Sequence, residues 1–86
     1  MKEFKGTPGE WNYSHARGEV VSKSEGLIAE LVVNGHEDNN GSLIAAAPDL
    51  LEALQKMFRA GQKQNWNDRY ESEMNAARAA ISKALG

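Results

Sequence analysis

The chain has 86 residues, a formal net charge of −2 and no cysteine. A chain of this length predicts one domain, residues 1–86, and the absence of cysteine excludes disulfides and thiolate metal sites. The small negative charge disfavours sequence-independent nucleic-acid binding, which usually relies on a basic patch. No apolar run reaches the ~18–20 residues of a membrane-spanning helix, and no signal-peptide pattern is visible, so we expect a cytoplasmic protein.

The first part of the chain, within residues 10–33, has the pattern of an antiparallel three-stranded meander. Trp11 and Tyr13 alternate with polar residues, as in a half-buried strand, and glycine-containing turns separate the runs. The predicted strands are residues 11–15, 19–22 and 27–33. In the third strand the apolar set is assigned to the core: Leu27, Ala29, Leu31 and Val33.

Residues 43–61 carry the strongest helical periodicity. Because proline lacks an N–H and disfavours helical geometry before it, Pro48 predicts a short helical turn at 43–46 and then a main helix at 48–60. Gly61 is expected to end that helix. The preceding stretch, 34–42, has no apolar residue and is predicted to be a loop that contributes the helix cap from Asp38, Asn39 or Asn40.

A second helix is predicted over residues 68–85, started by Asp68 and Glu71 in a capping-box-like pattern. The predicted fold is therefore α+β, with two antiparallel helices packed on one face of the sheet. The remaining predicted core residues are Leu43, Leu50, Leu51, Leu54, Phe58, Met74, Ala77 and Ile81. Three alanines beside the second helical stripe predict a homo-oligomer formed through this helix: Ala76, Ala79 and Ala80.

No enzyme is expected, because the chain has no Gly-x-Ser-x-Gly, phosphate-binding glycine loop with lysine, or His-Glu-x-x-His motif. His36 beside two carboxylates could bind a metal, but a solvated loop is the favoured interpretation. His15 could form an acid–base pair with Glu19 or Glu30, although a surface histidine is favoured. We therefore predict no catalytic residue, metal or cofactor.

Two groups of residues are candidates for binding. Trp11, Tyr13 and Arg17 could stack on a base or nucleotide, which requires an aromatic surface and a nearby cation. The alternative is that Trp11 covers the edge of the core. Trp66 with Arg69 could form an exposed recognition site, or Trp66 could instead fasten its loop onto the helix pair.

Two motifs carry a family resemblance. The run Thr7-Pro8-Gly9-Glu10-Trp11 resembles a Thr-Pro-Gly-Pro-Trp opening. Residues 40–54 resemble the signature Asn-Ala-Arg-Leu-Ile-Ala-Ala-Ala-Pro-Asp/Glu-Leu-Leu-Glu-Ala-Leu. Both are similar to motifs of small tailed-bacteriophage and prophage proteins. The sequence departs from the pattern at Glu10 and at Gly41-Ser42, where the family commonly has proline and Ala-Arg.

This resemblance implies a phage or prophage origin and no catalytic residue. The leading hypothesis is a non-enzymatic accessory protein that binds a host macromolecule, with a host protein as the partner, in the cytoplasm of the bacterial host. The alternative is a small-ligand binder, such as a sponge for a nucleotide signal used in host defence. A DNA-binding regulator is disfavoured because the second helix mixes charges of both signs.

Overall fold

The computed structural model describes residues 3–86, which form the predicted α+β fold. A three-stranded antiparallel sheet is followed by helices, and the elements are β1 Trp11–Ser14, β2 Glu19–Ser22, β3 Gly26–Glu30, α1 Glu37–Lys63, α2 Trp66–Arg69 and α3 Glu71–Leu85. The chain divides into two compact units. We call residues 5–48 the N-terminal unit and residues 49–86, which group with residues 3–4, the helical unit. The single domain stays a prediction.

The sheet has the predicted meander order, with β2 between β1 and β3. In β2, Val20 is fully buried and opposes Tyr13 on one side and Ala29 on the other. The buried Ser22 hydroxyl accepts backbone N–H bonds from Ser24 and Glu25 at 3.1 and 3.3 Å, which closes the turn to β3. A buried hydroxyl needs hydrogen-bond partners, and the backbone N–H groups of this turn supply them to Ser22.

The predicted core face of β3 is wrong at both ends. Leu27 is 52% exposed and Val33 is 84% exposed, and β3 already ends at Glu30. The cause is an irregularity in pairing: Leu27 opposes Val21 but Ala29 opposes Val20, which leaves Ile28 as an extra residue. A β-bulge of this kind breaks the two-residue alternation of faces, so one apolar set no longer faces the core.

The predicted loop and proline break before the main helix are also wrong, because α1 runs from Glu37 to Lys63 with Pro48 inside it. The Asn34 side chain accepts the His36 N–H at 2.9 Å, and Glu37 Oε2 accepts the N–H groups of Asn34 and Gly35 at 3.1 and 2.8 Å. This reciprocal bonding resembles a capping box and supports helix initiation before Asp38. Pro48 removes one N–H from the helix without ending it.

In the helical unit, the buried core consists of Phe58, Met74 and Ile81, as predicted, with Leu54 and Ala77 packed against it. The core prediction is wrong for two other residues. Leu43, in the N-terminal unit, is 64% exposed, and Leu50 is 54% exposed. The remaining predicted core residues are half-buried: Ala29, Leu31 and Leu51. Apolar periodicity therefore locates the helical stripe, and packing buries only part of it.

The predicted second helix is divided in two. Tyr70 has φ −129° and ψ 52°, outside helical geometry, and it separates α2 from α3. The capping pattern predicted for Asp68 and Glu71 is wrong, because Tyr70 occupies the position before α3 and makes no side-chain cap bond. Gly61 does not end α1 either; it is buried, and a Cβ there would lie 2.6 Å from the Trp66 ring. Glycine at this position therefore allows the indole to approach the helix.

Candidate functional site

A cluster of polar side chains in the N-terminal unit joins the end of β1 to the first turn of α1. The Tyr13 hydroxyl donates to Asp38 Oδ1 at 2.7 Å, and His15 Nδ1 lies 2.8 Å from the same oxygen. Since an ionised carboxylate only accepts, Nδ1 carries the proton in this contact. The His15 and Asp38 side chains are 81% and 54% exposed, so the cluster is open to solvent.

These contacts shift the pKa values of their members in opposite directions. Donation to Asp38 stabilises the neutral phenol and raises the pKa of Tyr13 to about 12, while the same hydrogen bond lowers the pKa of Asp38. The pKa of Glu37 is lowered by its own backbone N–H and by that of Asn34. The charged carboxylates are thus stabilised at the start of a helix, where the dipole is positive.

The cluster matches neither the acid–base pair nor the metal site that the sequence raised as alternatives. His15 contacts Asp38 rather than Glu19 or Glu30, and the described residues contain no group of three or more histidine, cysteine, aspartate or glutamate side chains placed to hold a metal. Sequence reasoning missed the role of Asp38, because it predicts a loop at this position. The asparagine–glutamate spacing of Asn34 and Glu37 is the signal that indicates an earlier helix start.

The three residues predicted to stack on a nucleotide have different surroundings. The Tyr13 ring lies against Gly41, where a Cβ would overlap it, and its hydroxyl faces Asp38. The Trp11 indole N–H donates to the Thr7 carbonyl at 3.1 Å, and Arg17 is exposed in the β1–β2 turn. A phosphate beside Tyr13 would be repelled by the negative charge of the Asp38 carboxylate. A nucleotide role for these residues stays a prediction that this electrostatic setting does not favour.

The helical unit contains a groove of about 380 Å³, which we call the apolar groove. Its more buried lining residues are Leu54, Phe58, Trp66, Met74 and Ala77, and its more exposed ones are Met57, Tyr70 and Glu73. The volume falls at the lower end of the range for ligand-sized pockets. Glu73 is the one formally charged residue in this lining, so the groove is an apolar surface with a single acidic group.

The aromatic part of the groove is built by the break between α2 and α3. Trp66 and Tyr70 meet edge to face, with ring centroids 5.8 Å apart and planes at 81°, and the Arg69 guanidinium carbon lies 6.0 Å from the Tyr70 centroid. Edge-to-face packing and a cation near the ring are both favourable for aromatic side chains. Both residues of the predicted pair therefore lie at this groove. Trp66 lines it, and Arg69 lies at its edge because its guanidinium is near the ring of the lining residue Tyr70.

Sequence reasoning missed the contributions of Met57 and Tyr70. Met57 belongs to the apolar helix stripe yet is 61% exposed, and Tyr70 has the spacing of a continuous helix yet is 44% exposed outside one. The weak helix formers Asn67, Asp68 and Ser72 lie around Tyr70, but no local signal places the break at Tyr70 itself. The left-handed conformation of Asn65, with φ 61°, is the detectable part of this turn, since asparagine tolerates it.

In the described part of the chain, no helix has both the length and the apolar character needed to cross a bilayer. A comparison with curated proteins and a comparison with solved structures each found no match. A protein-family model described as Salmonella phage P22 protein Y8K6 matches residues 1–86. Since this match extends over the whole chain, the chain belongs to the phage protein family of Salmonella phage P22 protein Y8K6.

Proposed function

We propose that this phage protein is a non-enzymatic accessory protein that binds a host protein in the host cytoplasm, through the apolar groove. The observation that carries the proposal is the groove itself. The Met57 and Tyr70 side chains are 61% and 44% exposed beside a buried floor that includes Phe58 and Met74. Large exposed apolar side chains gathered at a concave site are typical of interaction surfaces.

The chemistry of the lining supports binding. Trp66 and Tyr70 are of the residue types that contribute most to protein interfaces, because each combines a large apolar ring with a polar group. Trp66 is already held against Gly61 and Tyr70, so little side-chain freedom is lost when a partner covers it. A rigid aromatic surface of this kind favours affinity for a protein.

The same lining does not favour catalysis. Its titratable groups are the Glu73 carboxyl and the Tyr70 hydroxyl, and it contains no serine, threonine, histidine or lysine that could form a nucleophile–base pair. The His15–Asp38 contact belongs to the N-terminal unit and is part of the Tyr13 cluster. Binding is therefore the function that this geometry supports best.

Quantitative affinity capture from bacterial host lysate tests the proposal with two matched variants. Met57→Glu places a charge in the groove, and Val32→Glu places the same charge on another exposed apolar residue, which is 76% exposed in the N-terminal unit. We expect one host protein to be enriched with the wild type and with Val32→Glu and lost with Met57→Glu. Equal recovery with both variants, or no enriched protein with the wild type, would contradict the proposal.

A further inference from the structure

The apolar groove continues as an exposed stripe along α1. Leu50, Leu54 and Met57 follow the i, i+4, i+7 spacing of one helix face, and Leu50 and Met57 are 54% and 61% exposed. At a rise of ~1.5 Å per residue, this stripe is about 10 Å long, or two helical turns. A partner therefore meets an elongated apolar surface that ends in the groove.

The groove is formed by side chains of helical elements, and this limits the partner's backbone. The lining residues come from α1, α2, α3 and the Tyr70 position between the last two, so the surface offers no strand edge for an extended peptide to pair with. A helix satisfies its own backbone hydrogen bonds, whereas an extended peptide would find no strand edge to pair with on this surface. The geometry therefore favours an amphipathic helix over an added β-strand.

Charge defines the partner further. Glu73 is one of the lining residues, and its carboxylate takes part in none of the ion pairs found among the described residues. No lysine or arginine is among the lining residues, and the Arg69 guanidinium is held near the Tyr70 ring at the edge of the groove. An acidic group beside an apolar surface complements a helix that carries a lysine or arginine next to its apolar ridge, and it repels an acidic one.

We infer that the occupant of the apolar groove is an amphipathic helix of a partner protein, with apolar anchors over Met57 and Trp66 and a basic residue facing Glu73. This inference rests on the proposed function and specifies the chemistry of the partner. The Trp66 indole N–H and the Tyr70 hydroxyl have no hydrogen-bond partner among the described residues, so they are available to polar groups beside the ridge. Affinity comes from the apolar anchors, and orientation comes from the charge.

Two synthetic peptides of about 18 residues, five helical turns, test the inference by fluorescence anisotropy with the full chain. They share one leucine ridge and differ only in carrying lysine or glutamate beside it. We expect the lysine peptide to bind about threefold to tenfold more tightly than the glutamate peptide, because the charge pair is partly exposed. Glu73→Lys should reverse this order, and Met57→Glu should weaken both peptides.

The charge reversal separates recognition from folding, because a misfolded variant loses both peptides and cannot gain one. Circular dichroism of each variant provides the folding control. The inference is overturned if neither peptide binds or if both bind alike. It is also overturned if sedimentation equilibrium shows a dimer of the chain that Met57→Glu disrupts, because a second copy would then occupy the groove. If host capture depends on Met57 but Glu73→Lys does not change which peptide binds more tightly, the proposed function stands and this inference fails.

Discussion

Each of the two units of this chain is stabilised internally by a different kind of interaction. In the N-terminal unit, one fully buried valine, Val20, is accompanied by side-chain hydrogen bonds near the surface, chiefly the one between Tyr13 and Asp38. In the helical unit, the interior is an apolar cluster centred on Phe58 and Met74. The stability of the first unit therefore depends on hydrogen bonds that respond to pH, and that of the second on the volume of its core side chains. In the second unit, exposed apolar side chains also line a groove.

The largest effect is expected from Phe58→Ala. Phe58 is 5% exposed and contacts the core of the helical unit, and the Arg78 guanidinium carbon lies 5.4 Å from its ring centroid. Removal of a buried phenylalanine ring typically costs about 3–5 kcal/mol, because transfer energy is lost and a cavity forms. Thermal or urea unfolding followed by circular dichroism measures the change.

Leu50→Ala is the matched control for this prediction. Leu50 belongs to the same apolar sequence stripe but is 54% exposed, so its truncation should change the free energy of unfolding by only about 0.5 kcal/mol. Similar costs at Leu50 and Phe58 would show that the stripe is buried along its whole length, which contradicts the exposure of Leu50 in the structure.

A smaller effect is expected at the contact between sheet and helix within the N-terminal unit. Alanine is favoured over glycine in a helix by about 1 kcal/mol, yet a Cβ on Gly41 would overlap the Tyr13 ring. Overpacking usually costs about 1–3 kcal/mol, so Gly41→Ala should destabilise the protein by up to ~2 kcal/mol. In a Tyr13→Ala background, the same substitution should stabilise it by about 1 kcal/mol. If Gly41→Ala destabilises the protein equally with and without the Tyr13 ring, the contact between them is refuted.

The smallest effect concerns pH. The pKa of Tyr13 is raised from 10.0 to about 12 by donation to Asp38, so this contribution to stability is complete below pH 10 and is lost as pH rises towards 12. The pKa of Asp38 is lowered, so its contribution is present above its ordinary pKa and is lost as pH falls through the lowered value.

Asp38→Asn removes the carboxylate that raises the pKa of Tyr13. In a Tyr70→Phe background, where Tyr13 is the one remaining tyrosine, ultraviolet titration should show the phenol pKa falling from about 12 towards 10.0 when Asp38 is replaced. A phenol pKa near 10.0 before the replacement would show that Tyr13 and Asp38 are not bonded in solution.

The sequence predicts those features that depend on local chemistry. Glycine-containing turns predict the meander, and apolar spacing places Phe58, Met74 and Ile81 in one core. The predicted helix start fails because it gives Pro48 more weight than Asn34 and Glu37. The three hydrogen bonds of these two side chains cap a helix that begins well before the proline.

The candidate site is predictable only in part, because it depends on tertiary packing. Trp66 and Arg69 stand out in the sequence as aromatic and basic neighbours, and both contribute to the groove or its edge. Met57 could not be recognised, since a methionine on an apolar stripe normally indicates core. The β3 bulge at Ile28 likewise follows from pairing with Val20 and Val21, which no local pattern in β3 encodes.

The central claim is that the helical unit, and not the N-terminal unit, presents the partner-binding surface. Photo-crosslinking in host cells tests it directly, with a photoreactive phenylalanine analogue at Met57 in one variant and at Val32 in the other. Both positions carry exposed apolar side chains, 61% and 76% exposed, so incorporation should leave the fold intact at each. We predict a specific crosslink to one host protein from position 57 and none from position 32; the reverse pattern, or equal crosslinks from both positions, would contradict the account.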